Sequence, residues 1–329
     1  MKSVPLTVVV HDYFASELSS ALVSQTFASP PVLRTIVGHT DVEVATMLAG
    51  TDVLVSGEFR PAWCAAGKTS RLRLVHSSGA GIDAIDLKSL PPGCKVCNVY
   101  GHERGVAEQA FMMMLALQRD LFKMDAALRK GDWTPQRAYL PELGNRNLLI
   151  LGFGHIGAEL ARWGNFLDMN VTALTRPPTK VRSGKPAPCA LGTLKELGEH
   201  LATADFVIVA IPATAETTDL IGEREFQQMK PGAFLINVGR ARVVNEEALY
   251  KALRSRRIAG AGYDVWYEYP ASLADKKHPS RFPLHELDNL IMTPHKPTIE
   301  TMAYRWAKIA ENIARFERGE ALENVVCTV

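Results

Sequence analysis

The 329-residue chain has little excess of either charge: 37 lysines and arginines stand against 35 aspartates and glutamates. That balance argues against nucleic acid or an anionic membrane surface as its main partner. No uninterrupted apolar run approaches the ~20 residues needed to span a bilayer. The first ten residues hold too short an apolar run for a secretory signal. Cysteine is scarce. Cys64, Cys94, Cys97, Cys189 and Cys327 form an odd, scattered set, which does not describe a disulfide framework. Cys94 and Cys97 make one C-x-x-C with no second pair to complete a zinc site. They read as small buried residues beside a strand, and no metal site is expected. Repeats and low-complexity segments are also missing. The expectation is a cytoplasmic protein with no nucleic-acid and no membrane partner.

What is present is apolar residue in quantity, 47% of the chain, enough for a sizeable core over about two domains. Short β-branched runs at 6–10, 53–55, 72–75 and 95–99 alternate with helical stretches, and the alternation implies a parallel sheet covered on both faces. A helix is expected from Ser16, with that serine as its N-cap. Residues 104–130 read as one long helix ended by Gly131. Val106, Ala110, Met113, Met114 and Leu117 recur at helical spacing, and Met112 to Met114 read as core or interface filling. Further strands are expected at 147–151, 171–174, 206–211, 233–237, 258–264 and 290–293. Asn245 reads as the cap of a helix through Leu253, and a last helix is expected over 298–318. Residues 177–188, rich in proline and lysine, read as a surface loop.

Between the strand at 147–151 and a helical stretch lies Gly152-Phe153-Gly154-His155-Ile156-Gly157. A G-x-G-x-x-G acquires meaning in that context. The first glycine permits the sharp turn, the second lets a pyrophosphate approach the backbone, and the third lets helix pack on strand. Free N–H groups and the dipole at the helix start favour the phosphates. Downstream, Arg240 follows a strand and a glycine, and His295 follows a strand and a proline. Carboxyl ends of strands face the ligand in doubly wound sheets. There an arginine fork suits a carboxylate, and a histidine suits acid–base work near neutrality.

With these motifs in order, the sequence resembles the D-isomer-specific 2-hydroxyacid dehydrogenases. The resemblance begins at Ser78-Gly79-Ala80-Gly81-Ile82-Asp83. It continues through Asn98, Val106-Ala107-Glu108, the glycine turn and Ile211-Pro212-Ala213-Thr214-Ala215-Glu216-Thr217. It then takes in residues 237–249, Asp264-Val265 and Thr293-Pro294-His295. It implies an α/β fold of two doubly wound parallel-sheet domains, with a Rossmann-type coenzyme domain (101–297) inserted into a flavodoxin-like substrate domain (1–100 and 298–329). The implied activity is hydride transfer between a nicotinamide coenzyme and a small 2-hydroxy or 2-keto acid, in a homodimer joined through the coenzyme domain. Arg240 would bind the substrate carboxylate and keto oxygen, and His295 would exchange the proton. Backbone N–H groups of Ser78, Gly79, Ala80 and Gly81 would hold the carboxylate. The coenzyme would meet Gly152, Phe153, Gly154, His155, Ile156, Gly157, Thr175, Arg176, Ile211, Pro212, Thr217, Val238 and Gly239, and Asp264 its carboxamide.

Three positions depart from the family pattern. Tyr269 stands where the family has the acid that pairs with its histidine, and Glu268 lies one residue earlier. Either Glu268 turns inward and keeps the pair, or Tyr269 or water orients the ring. Ala241 replaces a usual glycine. Lys296-Pro297 replaces an apolar residue and a glycine, so Lys296 either reaches an extra anionic group of the substrate or is solvated. The coenzyme is read from the second strand of its domain: Thr175-Arg176 follows that strand with no acid to repel a 2′-phosphate, and Arg176 offers a cation for it. NADP(H) is therefore expected over NAD(H). Two other readings share the scaffold. One is oxidation of another small anion such as formate or phosphite; the other is a coenzyme-sensing, corepressor-like binding protein.

Overall fold

The computed structural model describes residues 4–11, 15–36, 38–67, 71–137, 139–176, 189–270, 274–295 and 301–329. The chain forms two compact units, one of residues 1–102 with 298–329 and one of residues 103–297.

Its first pass through unit 1 gives β1 (Thr7–His11), α1 (Ala15–Val23), β2 (Val32–Thr35), α2 (Asp41–Leu48), β3 (Val53–Ser56), β4 (Glu58–Phe59), β5 (Leu74–His76), β6 (Ala84–Ile85) and β7 (Lys95–Cys97). Unit 2 follows with α3 (Glu103–Gln118), α4 (Leu121–Leu128), β8 (Asn147–Leu151), α5 (His155–Phe166), β9 (Asn170–Thr175), β10 (Ala190–Thr193), α6 (Leu197–Thr203), β11 (Phe206–Val209), α7 (Glu223–Gln228), β12 (Phe234–Asn237), α8 (Glu246–Arg254), β13 (Gly260–Tyr263) and β14 (Leu290–Met292). The chain then returns to unit 1 as α9 (Met302–Glu317) and β15 (Val325–Thr328).

The main sheet of unit 1 has the order β2-β1-β3-β5-β7-β15, parallel except for β15, which lies antiparallel to β7. In unit 2 the order is β10-β9-β8-β11-β12-β13-β14, parallel throughout. Both are doubly wound. The direction of strand addition reverses beside the first strand of each unit, the position where such sheets open to ligands.

Side-chain alternation explains the two-sided burial. In β11, Val207 and Val209 enter one core while Phe206 and Ile208 enter the other. In β8, Leu149 and Leu151 divide from Leu148 and Ile150 in the same way. Strands buried on both faces read as near-continuous apolar runs, which is why they are visible in the sequence.

The long helix expected over 104–130 is instead two. Asp120 adopts a left-handed backbone (φ 47°) between α3 and α4, and the apolar spacing from Val106 to Leu117 covers α3 alone. Met113 and Met114 are fully buried, whereas Met112 is exposed. Ser16 lies within α1 and bonds to Glu17 rather than capping the helix. Asn245 does cap α8, accepting from Ala248 N–H at 3.0 Å. Gly131 (φ 74°) follows α4, and Gly319 (φ 70°) follows α9. Residues 177–188 and the first residues of the expected last helix lie outside those described. Cys94 and Cys97 are buried free thiols, and burial pushes each up to about 12. Among the described residues no helix is long and apolar enough to cross a membrane, and no group of three metal-ligating side chains occurs.

Candidate active site

The glycine turn sits where β8 meets α5, next to the end of β11. Gly152 has φ +106°, and a Cβ there would lie 2.6 Å from Ile211 Cγ2 and 2.7 Å from the Ala210 carbonyl oxygen. A Cβ on Gly157 would lie 2.0 Å from the Gly152 carbonyl oxygen. Both positions are closed to any side chain. A Cβ on Gly154 would meet nothing within 4 Å, and this residue is the N-cap of α5. Open space over a glycine at a helix N-terminus suits a pyrophosphate, since first-turn N–H groups have no intrahelical acceptor. The residues therefore fit a dinucleotide.

The surrounding residues divide into framework and rim. Phe153 and Val238 are buried in the core, and a Cβ on Gly239 would lie 2.8 Å from the Ile211 carbonyl oxygen. Ile156 is half-buried and packs against the same core, while His155 is exposed with Nδ1 3.8 Å from Glu103 Oε1. Pro212, shortly beyond β11, is exposed. Thr217 is buried, its hydroxyl donating to the Pro212 carbonyl at 2.6 Å and accepting from Thr214 N–H at 2.8 Å. It closes that loop instead of presenting its hydroxyl outward. Thr175 ends β9 beside the turn, where Gly152 N–H donates to the Leu174 carbonyl at 2.8 Å, and Arg176 next to it is exposed.

A second group of side chains gathers at the carboxyl ends of β12, β13 and β14. Asn237, fully buried, accepts from Gly239 N–H at 3.1 Å and donates to the Arg240 carbonyl at 3.0 Å, which fixes the loop carrying Arg240. The Arg240 guanidinium also donates to the Gly239 carbonyl at 2.8 Å. Asp264 is buried and accepts from the Thr293 hydroxyl at 2.6 Å, and Gln109 of α3 donates to that hydroxyl at 3.0 Å. Trp266 Nε1 donates to the Thr293 carbonyl at 2.7 Å. Two residues on, His295 has φ 53°, and its N–H donates to the Thr293 carbonyl at 3.0 Å. A left-handed backbone on a non-glycine residue is uncommon and tends to mark sites whose surroundings hold it in place.

The partner of His295 is Tyr269. Its hydroxyl lies 2.8 Å from His295 Nδ1 and accepts from Trp266 N–H at 3.1 Å. Glu268, the acid one residue earlier, faces elsewhere: its carboxylate pairs with Lys277 Nζ at 3.0 Å. The expectation that Glu268 keeps the pair is thereby corrected, because the chain from Asp264 to Pro270 turns the side chain of Tyr269, not of Glu268, towards the ring. The His295 ring has exposed surface, yet surrounding protein desolvates it and lowers its pKa. Asp264 opposes that shift, and Arg240 adds to it. Arg240, Asp264, Tyr269 and His295 thus form one electrostatic cluster. Lys296 lies outside the described residues.

In unit 1 the loop after β5 turns its carbonyls inward. Gly79 O accepts from Val99 N–H at 3.2 Å, Ala80 O from the Asn98 side chain at 2.8 Å, Gly81 O from the Ser77 hydroxyl at 2.8 Å and Ser78 O from Arg305 at 3.4 Å. Gly79 N–H donates to the Ser77 hydroxyl at 3.3 Å, so in this half-buried segment an anion would be met by the N–H groups of the other residues. Beneath it, buried His76 is held at about 4 by burial, with Asn312 3.1 Å from its Nε2. Sequence reasoning missed Gln109, Asn312 and Arg305, whose positions follow from helix packing and carry no local motif. Tyr269 was visible only as a departure.

These features define a doubly wound α/β protein with a dinucleotide turn and an arginine–histidine cluster. The sequence matches the D-isomer specific 2-hydroxyacid dehydrogenase NAD binding domain over residues 111–296. It is 34% identical over 261 residues to a glyoxylate reductase of Pyrococcus furiosus, covering 76% of this chain and 74% of that one. It is 32% identical over 260 residues to a D-3-phosphoglycerate dehydrogenase of Archaeoglobus fulgidus, covering 78% of this chain but only 47% of that longer one. A D-isomer specific 2-hydroxyacid dehydrogenase of Xanthobacter autotrophicus Py2, solved with NADPH and MES, superposes with a TM-score of 0.78 at 25% identity, covering 98% of each chain. The protein belongs to the D-isomer specific 2-hydroxyacid dehydrogenase family, whose members are NAD(P)-dependent oxidoreductases of small 2-hydroxy and 2-keto acids.

Proposed function

We propose that the protein reduces a small 2-keto acid to the 2-hydroxy acid, preferring NADP(H), with unit 1 as the substrate domain and unit 2 as the coenzyme domain. The observation that carries the reading is the cluster of Arg240, Asp264 and His295 at the ends of adjacent strands of the sheet that bears the glycine turn. Bound nicotinamide supplies the hydride. The chain's own residues bind, orient and handle the proton. Arg240 grips the carboxylate and offsets oxyanion charge at the keto oxygen, while protonated His295 gives that oxygen its proton. Backbone N–H groups of residues 78–81 hold the carboxylate. Asp264, buried and fixed by Thr293, accepts from the carboxamide. Arg176, exposed at the end of β9 with no acid beside it, supports the choice of the 2′-phosphorylated coenzyme.

The test is a spectrophotometric screen of glyoxylate, hydroxypyruvate, pyruvate and phenylpyruvate with NADPH and NADH, run beside formate and phosphite oxidation. His295→Ala is expected to lower turnover roughly 10²–10⁴-fold, the usual worth of a positioned proton donor, with coenzyme binding retained. Unchanged turnover removes His295 from the mechanism. Tight coenzyme binding with no turnover of any keto acid favours the sensing protein. Exposed Met112, Leu115, Leu121, Phe122 and Leu128 along α3 and α4 support a homodimer joined through unit 2, which sedimentation measures directly.

A further inference from the structure

Tyr269 stands where the family pattern has an acid, and its geometry is that of a hydroxyl fixed for a purpose. Trp266 anchors it: the Trp266 ring is tied to the Thr293 carbonyl at 2.7 Å and its backbone N–H donates to the Tyr269 hydroxyl at 3.1 Å. That bond takes up one lone pair of the phenol oxygen. The proton and the other lone pair remain for His295 Nδ1, 2.8 Å away. A carboxylate accepts from Nδ1–H whether the ring is neutral or cationic, but its negative charge favours the imidazolium. A phenol both donates and accepts.

We infer that Tyr269 is a positioning residue that serves Nδ1 of His295 in both protonation states while adding no charge to the site. The inference rests on the reading of His295 as proton donor. With Nδ1 occupied, Nε2 is the nitrogen left for substrate. In reduction the Nε2–H bond of the imidazolium breaks and its proton passes to the keto oxygen as hydride reaches the carbon. The Nδ1 proton stays, donated to the Tyr269 oxygen, and solvent restores the proton at Nε2. Tyr269, half exposed, keeps its own proton; desolvation by the neighbouring protein raises its pKa above the ordinary phenol range, an effect that the Trp266 N–H and Arg240 oppose and Asp264 reinforces.

Among the described residues the charges acting on the ring are those of Asp264 and Arg240, which oppose each other, while the Glu268 carboxylate is engaged by Lys277. Desolvation by the surrounding protein, the largest influence, holds His295 below the usual 6.5. Reduction requires the imidazolium, so kcat/KM for a keto acid falls as pH rises through that depressed value. A carboxylate partner moves this limb upward.

The test follows His295 by ¹⁵N-histidine NMR titration of the coenzyme-free protein, assigned with His295→Ala, alongside pH–rate profiles of keto acid reduction. Tyr269→Phe, which keeps the ring, is expected to leave the His295 midpoint unmoved while lowering kcat about tenfold, the worth of one hydrogen bond near 1.4 kcal/mol. Tyr269→Glu is expected to raise the midpoint by about one unit, which lifts kcat/KM about tenfold relative to its own limiting rate on the alkaline limb. A midpoint that falls by a unit in Tyr269→Phe shows a partner that favours the imidazolium alone and overturns the inference. So does a Tyr269→Phe enzyme with wild-type kcat. If the wild type reduces no keto acid but the titrations behave as expected, the hydrogen-bond role stands and the reductase reading falls. Turnover with unaltered midpoint and unaltered kcat in both variants leaves the reading in place and removes Tyr269.

Discussion

Gly157→Ala sets two effects of known size against each other. Gly157 lies in the first turn of α5, and in a free helix alanine is better than glycine by about 1 kcal/mol. In this helix a Cβ at 157 would stand 2.0 Å from the Gly152 carbonyl oxygen and 2.9 Å from its carbon. Neither is the movable end of a side chain. To bring the closest contact to 3.0 Å, α5 must shift from the β8 turn by about 1 Å, against the packing of Leu160 and Ala161 in the core. Overpacking of this kind typically costs about 1–3 kcal/mol, and a backbone obstacle puts the cost here at about 2–4 kcal/mol. The clash therefore outweighs the propensity gain, and net destabilisation of about 1–3 kcal/mol is expected. The same shift displaces the N-terminus of α5, whose N–H groups would meet the pyrophosphate, so weaker coenzyme binding is expected. Urea unfolding measures the first quantity, and quenching of tryptophan fluorescence by coenzyme the second. A variant as stable as the parent, or stabilised by about 1 kcal/mol, with unaltered coenzyme affinity refutes the reasoning about the turn.

Arg176→Ala is expected to weaken NADPH binding by about tenfold or more while leaving NADH nearly unaffected, because a charge-assisted hydrogen bond to phosphate is worth about 1.5–3 kcal/mol. An NADH preference that the substitution does not alter contradicts the assignment. His76, buried and neutral with its pKa lowered to about 4, contributes stability that is complete above the unfolded value of 6.5 and is lost as pH falls towards 4. Unit 1 should lose about 1.4 kcal/mol per pH unit across that window, and His76→Gln should flatten the slope in denaturant titrations at pH 7, 6 and 5.

What the sequence made legible was local. The glycine turn is readable because every contact that requires glycine lies within the turn or at the end of the next strand in the sheet: Gly152 against Ile211, Gly157 against Gly152. Strands β8, β11, β12 and β13 of unit 2 are readable because both faces are buried, whereas β10, an edge strand with little buried, was not seen. β2 and β15 were not seen, since they are edge strands with exposed residues and no clear alternation. α2 was missed although Thr40 and Glu43 form its capping box, a signal that was there to find. The break at Asp120 was hidden because aspartate tolerates a left-handed backbone without announcing it.

The choice between Glu268 and Tyr269 shows where such reading ends. Both lie close enough in sequence to reach His295, and chemistry alone favours the carboxylate. What decides is a fixed point elsewhere: Trp266, tied through its ring to Thr293, turns its backbone N–H towards the Tyr269 hydroxyl, while Lys277 holds Glu268. The Trp266–Thr293 and Glu268–Lys277 contacts join residues that no spacing rule relates. A one-residue difference in which side chain faces the ring changes the charge beside the histidine from negative to neutral. It therefore changes the pH at which His295 holds its proton, without altering any residue that the motif requires.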